Sequence, residues 1–224
     1  MWESINQNAE RVGINLILVD VLGGRIHAWI PAPAIAQLEN HLIEGEIYDL
    51  RTFVVRPYPA MQIGICFRNE FFIQLNHMNQ LFVSEGSNFI PPHVFAFTEL
   101  SNLMEVATEP KFLIDVVGVL QRVQPMTSFT NKRHQQKSCI RFSITDMFTS
   151  REVSFYDKLA ELFEQGLRDA TQHPIIVIIS SCKAQRFRGE LELTNLPATR
   201  FFINLDTEAV HDLRDAFRLA NSQT

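Results

Sequence analysis

In the first third of the chain, apolar side chains come in short β-branched runs closed by turn formers. Gly13 to Asp20, read Gly-Ile-Asn-Leu-Ile-Leu-Val-Asp, predicts a strand. Gly23-Gly24 supplies the positive φ of a tight hairpin, and Arg25 to Ile30 returns as a second strand. There Ile26, Ala28 and Ile30 alternate with Arg25, His27 and Trp29, the period of a half-buried strand. Pro31 and Pro33 stop it. Ala34 to Leu42 predicts a short helix with Ile35, Leu38 and Leu42 at helical spacing. A third strand is expected over 46–55, and broken apolar runs at 62–67 and 71–75 complete a small all-β unit. From 84 to 109 the pattern dissolves into scattered polar residues, and Pro91-Pro92 cannot sit inside a sheet. This predicts a first domain over 1–100 and a linker over 101–110.

The second half repeats the plan. Residues 112–123 form a long apolar strand, 131–137 a polar basic loop, and 138–145 with 151–155 a hairpin around Met147-Phe148-Thr149-Ser150. Asp157 to Leu167 is helical, with Leu159, Leu162, Phe163 and Leu167 as its buried stripe. Residues 174–180 form a continuous apolar strand. A turn at 186–189 leads into Glu190-Leu191-Glu192-Leu193, a strict alternation. The second domain is expected over 111–206, and 207–224 as an amphipathic helix with Val210, Leu213 and Phe217 in register, packed on the second barrel or on another subunit. Strands with one helix between the third and fourth are the arrangement of a five-stranded OB barrel. The fold class expected is therefore all-β with short helices, two tandem OB barrels. In the first copy the helix comes one strand early, as if the opening strand were short or cut off by Met1.

Composition narrows the function. The 224 residues carry a net charge of −5, which removes the plain argument for a nucleic-acid binder from an overall basic surface. The charge is uneven, however: residues 1–105 hold 5 Lys+Arg against 11 Asp+Glu, and residues 122–200 hold 12 against 8. Cys66, Cys139 and Cys182 are odd in number and far apart, so no disulfide framework or zinc knuckle is expected and a reducing compartment fits. The seven histidines have no metal spacing. No apolar run reaches the length of a membrane span, and the N-terminal residues lack a signal-peptide pattern. These features predict a soluble intracellular protein without metal or cofactor. No phosphate loop, nucleophile elbow or H-E-x-x-H occurs, so no enzyme is expected. A nuclease built on Asp20, Asp115 or Asp146 would be the only candidate reaction.

Four stretches, taken in order, resemble the large subunit of replication protein A, particularly its plant form. They are Leu18-Val19-Asp20 with Arg25-Ile26-His27-Ala28-Trp29-Ile30-Pro31; Glu44-Gly45-Glu46-Ile47-Tyr48 with Phe53-Val54-Val55; Ile90-Pro91-Pro92-His93-Val94-Phe95-Ala96-Phe97; and Leu113 to Val119 followed by Lys183 to Gly189 and Ala198 to Asn204. The resemblance implies the two central OB domains of that subunit, binding single-stranded DNA in the nucleus in replication, repair or recombination, without catalysis and alongside other protein subunits. It implies two stacking aromatics per domain. In the second domain Tyr156 and Phe187 match those places; in the first, Pro31 and a position near Ile63 stand there, so weak binding by the first domain is expected.

The residues give this reading physical content. If Val153 and Phe155 face the core, Ser154 and Tyr156 face outward, and an exposed ring is a stacking platform tolerant of sequence. Lys183, Arg186 and Arg188 surround Phe187, and Arg141 with the loop cations Lys132, Arg133 and Lys137 would hold phosphates. Trp29, Arg56 and Tyr58 are first-domain candidates, with Trp29 equally suited to covering a neighbouring strand or the domain interface. The rival expectation is a protein-interaction scaffold, a paralogue that kept the barrels and lost much of the DNA grip.

Overall fold

A computed structural model of the chain describes residues 1–6, 8–84, 89–109, 111–131, 134–187 and 189–222. The chain divides into two compact units, Met1–Val94 and Phe95–Thr224. The segment expected as a linker holds a short helix, and Leu100 and Leu103 beside and within it are buried in the core of the second unit.

In the first unit the strands are β1 (Trp2–Ile5), β2 (Arg11–Val19), β3 (Arg25–Pro31), β4 (Tyr48–Arg51), β5 (Val54–Pro57), β6 (Phe71–Gln74) and β7 (Gln80–Val83). Helix α1 (Ala32–Leu38) follows β3 and starts on Pro31 and Pro33, whose fixed φ suits a first helical turn. One sheet runs β1-β2-β3-β6-β5, and β4 pairs with β7 as a separate ribbon. The single strand expected over 46–55 is thus two, interrupted at Thr52 with φ +57. The run 62–67 forms no extended strand, yet Ile65, Cys66 and Phe67 are buried. Ile14, Leu16, Ala28, Ile30, Ala34, Leu38 and Ile73 make the core. Gly23 takes φ +75 in the β2–β3 turn, where Asp20 Oδ1 accepts the N–H groups of Leu22 and Gly24 at 2.9 and 2.7 Å.

The second unit contains α2 (Leu103–Val106), β8 (Ile114–Val123), β9 (Thr127–Thr130), β10 (Gln136–Thr145), β11 (Ser150–Tyr156), α3 (Lys158–Asp169), β12 (Ile176–Phe187), β13 (Glu190–Thr194), β14 (Arg200–Ile203) and α4 (Glu208–Ser222). The pairings β8–β10, β10–β11, β11–β13, β13–β12 and β12–β8 close into a ring, with α3 between its third and fourth strands. Phe163 of α3 plugs the ring, stacked on Phe142 at 4.2 Å and edge-on to Phe155 at 5.3 Å. Leu162, expected in the buried stripe, is 48% exposed. Helix α4 lays Val210, Leu213 and Phe217 over Val119, Ile176 and Ile178 on the outside of the barrel.

The registers align the two units. Asn15 pairs with Trp29 as Arg141 pairs with Ser154, and Trp29 pairs with Gln74 as Ser154 pairs with Thr194. On this alignment Ser4 opposite Gly13 matches Thr127 opposite Cys139, so β1 takes the place of β9. No described strand stands where β8 does, and the first unit is not closed into a ring.

One irregularity sets the outward face of the second barrel. Val177 and Ile179 point into the core, and so do Cys182 and Ala184. The alternation shifts by one residue because β12 carries a bulge opposite Asp115, where Ser181 takes φ +54. The buried Asp115 carboxylate accepts the Ser180 hydroxyl at 2.8 Å, the Ser181 N–H at 2.9 Å and the Ala96 N–H at 3.0 Å. Asp115→Ala strands these donors in a dry site and is expected to cost at least about 3 kcal/mol, read by urea denaturation. A loss below about 1 kcal/mol would show that the bulge is held by other contacts.

Candidate nucleic-acid interface

After the bulge, Lys183, Gln185 and Phe187 point outward from β12. With β10, β11 and β13 they form a four-stranded outer face. Its rows follow from the registers: Arg141–Ser154–Thr194–Lys183 lies beside Ser143–Glu152–Glu192–Gln185. Tyr156, opposite Cys139, sits at one end of this face, and Phe187, opposite Glu190, at the other. Six residues of strand separate their levels, so the rings are roughly 20 Å apart along the strands. They cannot sandwich one base; each would stack its own, with the two rows between them.

Neither ring belongs to the interior. Phe187 is 49% exposed. Tyr156 is half-buried, its backbone N–H donates to Asn195 Oδ1 at 2.8 Å, and Phe129 meets its ring edge-on at 6.3 Å. Burial, helped by nearby Cys139 and Glu192, pushes the Tyr156 phenol up, so it stays a neutral donor.

The charges between the rings are mixed. Arg141 is exposed and Lys183 half-buried, and neither is in an ion pair among the described residues. Lys137 lies on the same face but is paired with Asp157. Arg186 follows the inward parity at the strand end and rests its Nη2 on Met104 Sδ at 2.8 Å. Lys132, Arg133 and Arg188 lie outside the described residues. Opposing the cations are Glu152, Glu190 and the buried Glu192, whose Oε1 accepts the Ser154 hydroxyl. The 12 cations over 122–200 are not all on this face: Lys158 and Arg168 pair with Glu161 and Glu164 along α3, and Arg151 Nε donates to the Leu100 carbonyl at 3.0 Å.

The first unit fills the equivalent face differently. Its β5–β6 register, Val54 with Gln74 and Arg56 with Phe72, continues to Tyr58, whose N–H donates to Glu70 O. Tyr58 therefore holds the place of Phe187, not the position near Ile63 that was expected, and Pro31 opposite Gly13 holds that of Tyr156. The Tyr58 ring is engaged within its own sheet. It packs on Phe72 at 5.1 Å and lies near-parallel to His27 at 5.8 Å, which in turn lies near-parallel to Trp2. Asn15 Nδ2 donates to Ser4 Oγ, so Asn15 Oδ1 accepts from His27 Nε2–H at 3.0 Å, leaving Nδ1 to accept the Tyr58 hydroxyl at 2.8 Å. The Trp29 indole lies over Gly13, where a Cβ would come within 2.2 Å of Nε1, so this tryptophan covers a neighbouring strand. Arg56 is exposed. Parity alone points Trp29 outward and says nothing of Tyr58, whose engagement by His27 and Phe72 depends on the assembled sheet.

The acidic candidates for a nuclease are each engaged in holding local structure. Asp20 and Asp115 serve the turn and bulge described above, and Asp146 Oδ1 accepts the N–H groups of Phe148 and Thr149 at 3.0 and 2.7 Å. No cluster of three or more His, Cys, Asp or Glu able to hold a metal occurs among the described residues, all three cysteines are buried, and no described helix is long and apolar enough to cross a membrane.

The closed ring, the helix between its third and fourth strands and the partial copy in the first unit define a chain of two tandem OB folds. Its likeness extends to named proteins. A family described as "Domain of unknown function DUF223" matches residues 1–106. A replication protein A 70 kDa DNA-binding subunit of Oryza sativa subsp. japonica is 26% identical over 211 residues, covering 93% of this chain and 33% of the relative. A replication protein A 70 kDa DNA-binding subunit of Arabidopsis thaliana is 26% identical over 225 residues, covering 98% and 36%. A replication protein A heterotrimer solved with single-stranded DNA has the same fold, with a TM-score of 0.63 at 19% identity over 99% of this chain and 50% of that one. The resemblance to the large subunit of replication protein A thus holds along nearly the whole chain, which spans about a third of the length of the curated relatives it matches.

Burial holds His27 neutral, with its pKa lowered to about 4, whereas an unfolded histidine titrates near 6.5. The unfolded chain gains the proton first as pH falls, so stability is full above about pH 6.5 and declines toward pH 4, by on the order of 3 kcal/mol in total. In denaturation series from pH 7.5 to 4, His27→Gln should flatten this decline. An unchanged slope would place the sensitivity elsewhere.

Proposed function

We propose that this chain binds single-stranded DNA in the nucleus, as a part of a replication-protein-A-like assembly, through the outer face of its second barrel. The observation that carries this reading is the bulge-set parity of β12: it puts Phe187 on the same outward face as Tyr156, with Arg141 and Lys183 between them. The rings stack unpaired bases and the two cations neutralise phosphates. Nothing in this needs a particular base sequence for stacking. On this reading the chain serves replication, repair or recombination by binding alone, without bond making or breaking. Support for a DNA role also comes from the names of the relatives, which are DNA-binding subunits.

The first barrel contributes less in this reading. Pro31 offers no ring, and Tyr58 is engaged by His27 and Phe72. Its surplus of acidic residues repels phosphates. These observations favour a protein-docking role for that unit, with other subunits of the assembly as partners.

The test is fluorescence anisotropy with a labelled mixed-sequence 25-mer. Phe187→Ala is expected to weaken binding by about 1–3 kcal/mol with an unchanged urea midpoint, and Tyr58→Ala by much less. With two phosphates neutralised, the affinity should fall with salt at a slope of about −1.4, and Lys183→Gln should reduce that slope by about 0.7. No binding at low salt, or equal losses for Phe187→Ala and Tyr58→Ala, would overturn the assignment.

A further inference from the structure

Glu192 has no place in a plain stacking-and-phosphate site, and it is the most deeply set charged group on the face. Only 8% of it is exposed. It lies on β13, in the row next to Arg141–Ser154–Thr194–Lys183, between the levels of Tyr156 and Phe187. Its Oε1 accepts the Ser154 hydroxyl, which fixes the rotation of the carboxylate. Oε2 has no protein donor among the described residues, and it is not among the buried atoms lacking partners, so it reaches the surface of the face. Its charge is felt at the Tyr156 phenol and the Cys139 thiol, both of which it pushes up. A strand running from one ring to the other must pass over it.

A carboxylate at that point repels phosphates, so where a strand crosses its row the backbone is held away from the face and the bases are turned toward Glu192. An ionised carboxylate can only accept hydrogen bonds. Cytosine and adenine offer an exocyclic amino group, and guanine offers an imino and an amino hydrogen side by side. Thymine offers one N–H flanked by two carbonyl oxygens, which oppose a carboxylate. In this partly dry, preoriented setting the difference is not levelled by water.

We infer that Glu192 is a base-selecting residue: through Oε2 it accepts a hydrogen bond from amino-bearing bases and disfavours thymine, giving an otherwise sequence-tolerant site a preference within single-stranded DNA. The inference rests on the second barrel being the binding face.

The experiment compares labelled oligo-dC and oligo-dT 25-mers on the full chain at one salt concentration. The parent is expected to bind oligo-dC about fivefold or more tighter than oligo-dT. Glu192→Gln keeps an acceptor for Ser154 but adds an amide donor for thymine carbonyls, and should bring the two affinities within about twofold. Glu192→Met, similar in volume and without an acceptor, should likewise lose the preference, and circular dichroism with urea midpoints checks that both variants are folded. Equal affinities in the parent, or a preference that survives in both folded variants, overturns the inference while leaving the binding site in place. Failure of both oligonucleotides and of the mixed-sequence 25-mer to bind the parent overturns the binding proposal itself, and this one with it.

Discussion

The buried carboxylate of Asp115 fixes which side of a strand meets solvent. β12 must do two incompatible things. Its first half is a wall of the barrel with apolar residues on both sides, Val177 and Ile179 inward and Ile176 and Ile178 under α4. Its second half must show one face to solvent. A strand of strict alternation starting from Val177 would turn Lys183 and Phe187 inward. The bulge at Ser180–Ser181 inserts the extra residue that reverses this, and three donors converging on Asp115 hold it. Thr199 adds a further tie by donating its hydroxyl to the Ser181 carbonyl at 2.7 Å. A core requirement and a surface requirement thus meet at one carboxylate.

The two units show how one set of registers supports different surfaces. Asn15 stands where Arg141 stands, Trp29 where Ser154 stands, Val54 where Lys183 stands and Tyr58 where Phe187 stands. In the second unit the centre of the face is lined by small polar residues and one acid, Ser154, Thr194 and Glu192, themselves buried, while Arg141 and Phe187 are exposed beside them. In the first, large rings and a neutral histidine fill the same space and satisfy one another through the Tyr58–His27–Asn15–Ser4 chain. An aromatic ring is therefore not by itself a platform; what its neighbours across the sheet leave free decides.

Charge behaves in the same way. Net charge counted along the sequence treats every Lys and Arg as lying on one surface, but Lys158 and Arg168 stand on α3 beside their glutamates, and Lys137 is paired with Asp157. Among the described residues, what remains on the second face is a short row of two cations next to a buried acid. Such a surface depends more on ring contact than on counterion release, and it places an acceptor where bases pass.

Much of this was legible from the residues alone. The alternation of Arg25 to Ile30, the apolar run 174–180, the helix over 157–167 and the stripe of the C-terminal helix are set by period and turn chemistry, which act over a few residues. The strand-helix-strand order followed from them, and the outward placing of Tyr156 followed from Val153 and Phe155. Other features depend on residues far apart in the chain. The four-residue strands Trp2–Ile5, Thr127–Thr130 and Arg200–Ile203 carry too little pattern to announce themselves and exist because a neighbouring strand offers its edge. The bulge exists because Asp115 lies opposite, 65 residues before Ser180. The engagement of Tyr58 by His27, and the setting of Glu192 between two rings, needed the sheet to assemble. Local periodicity determined the elements; cross-strand register, a long-range property, decided which side chains meet and which remain open to a ligand.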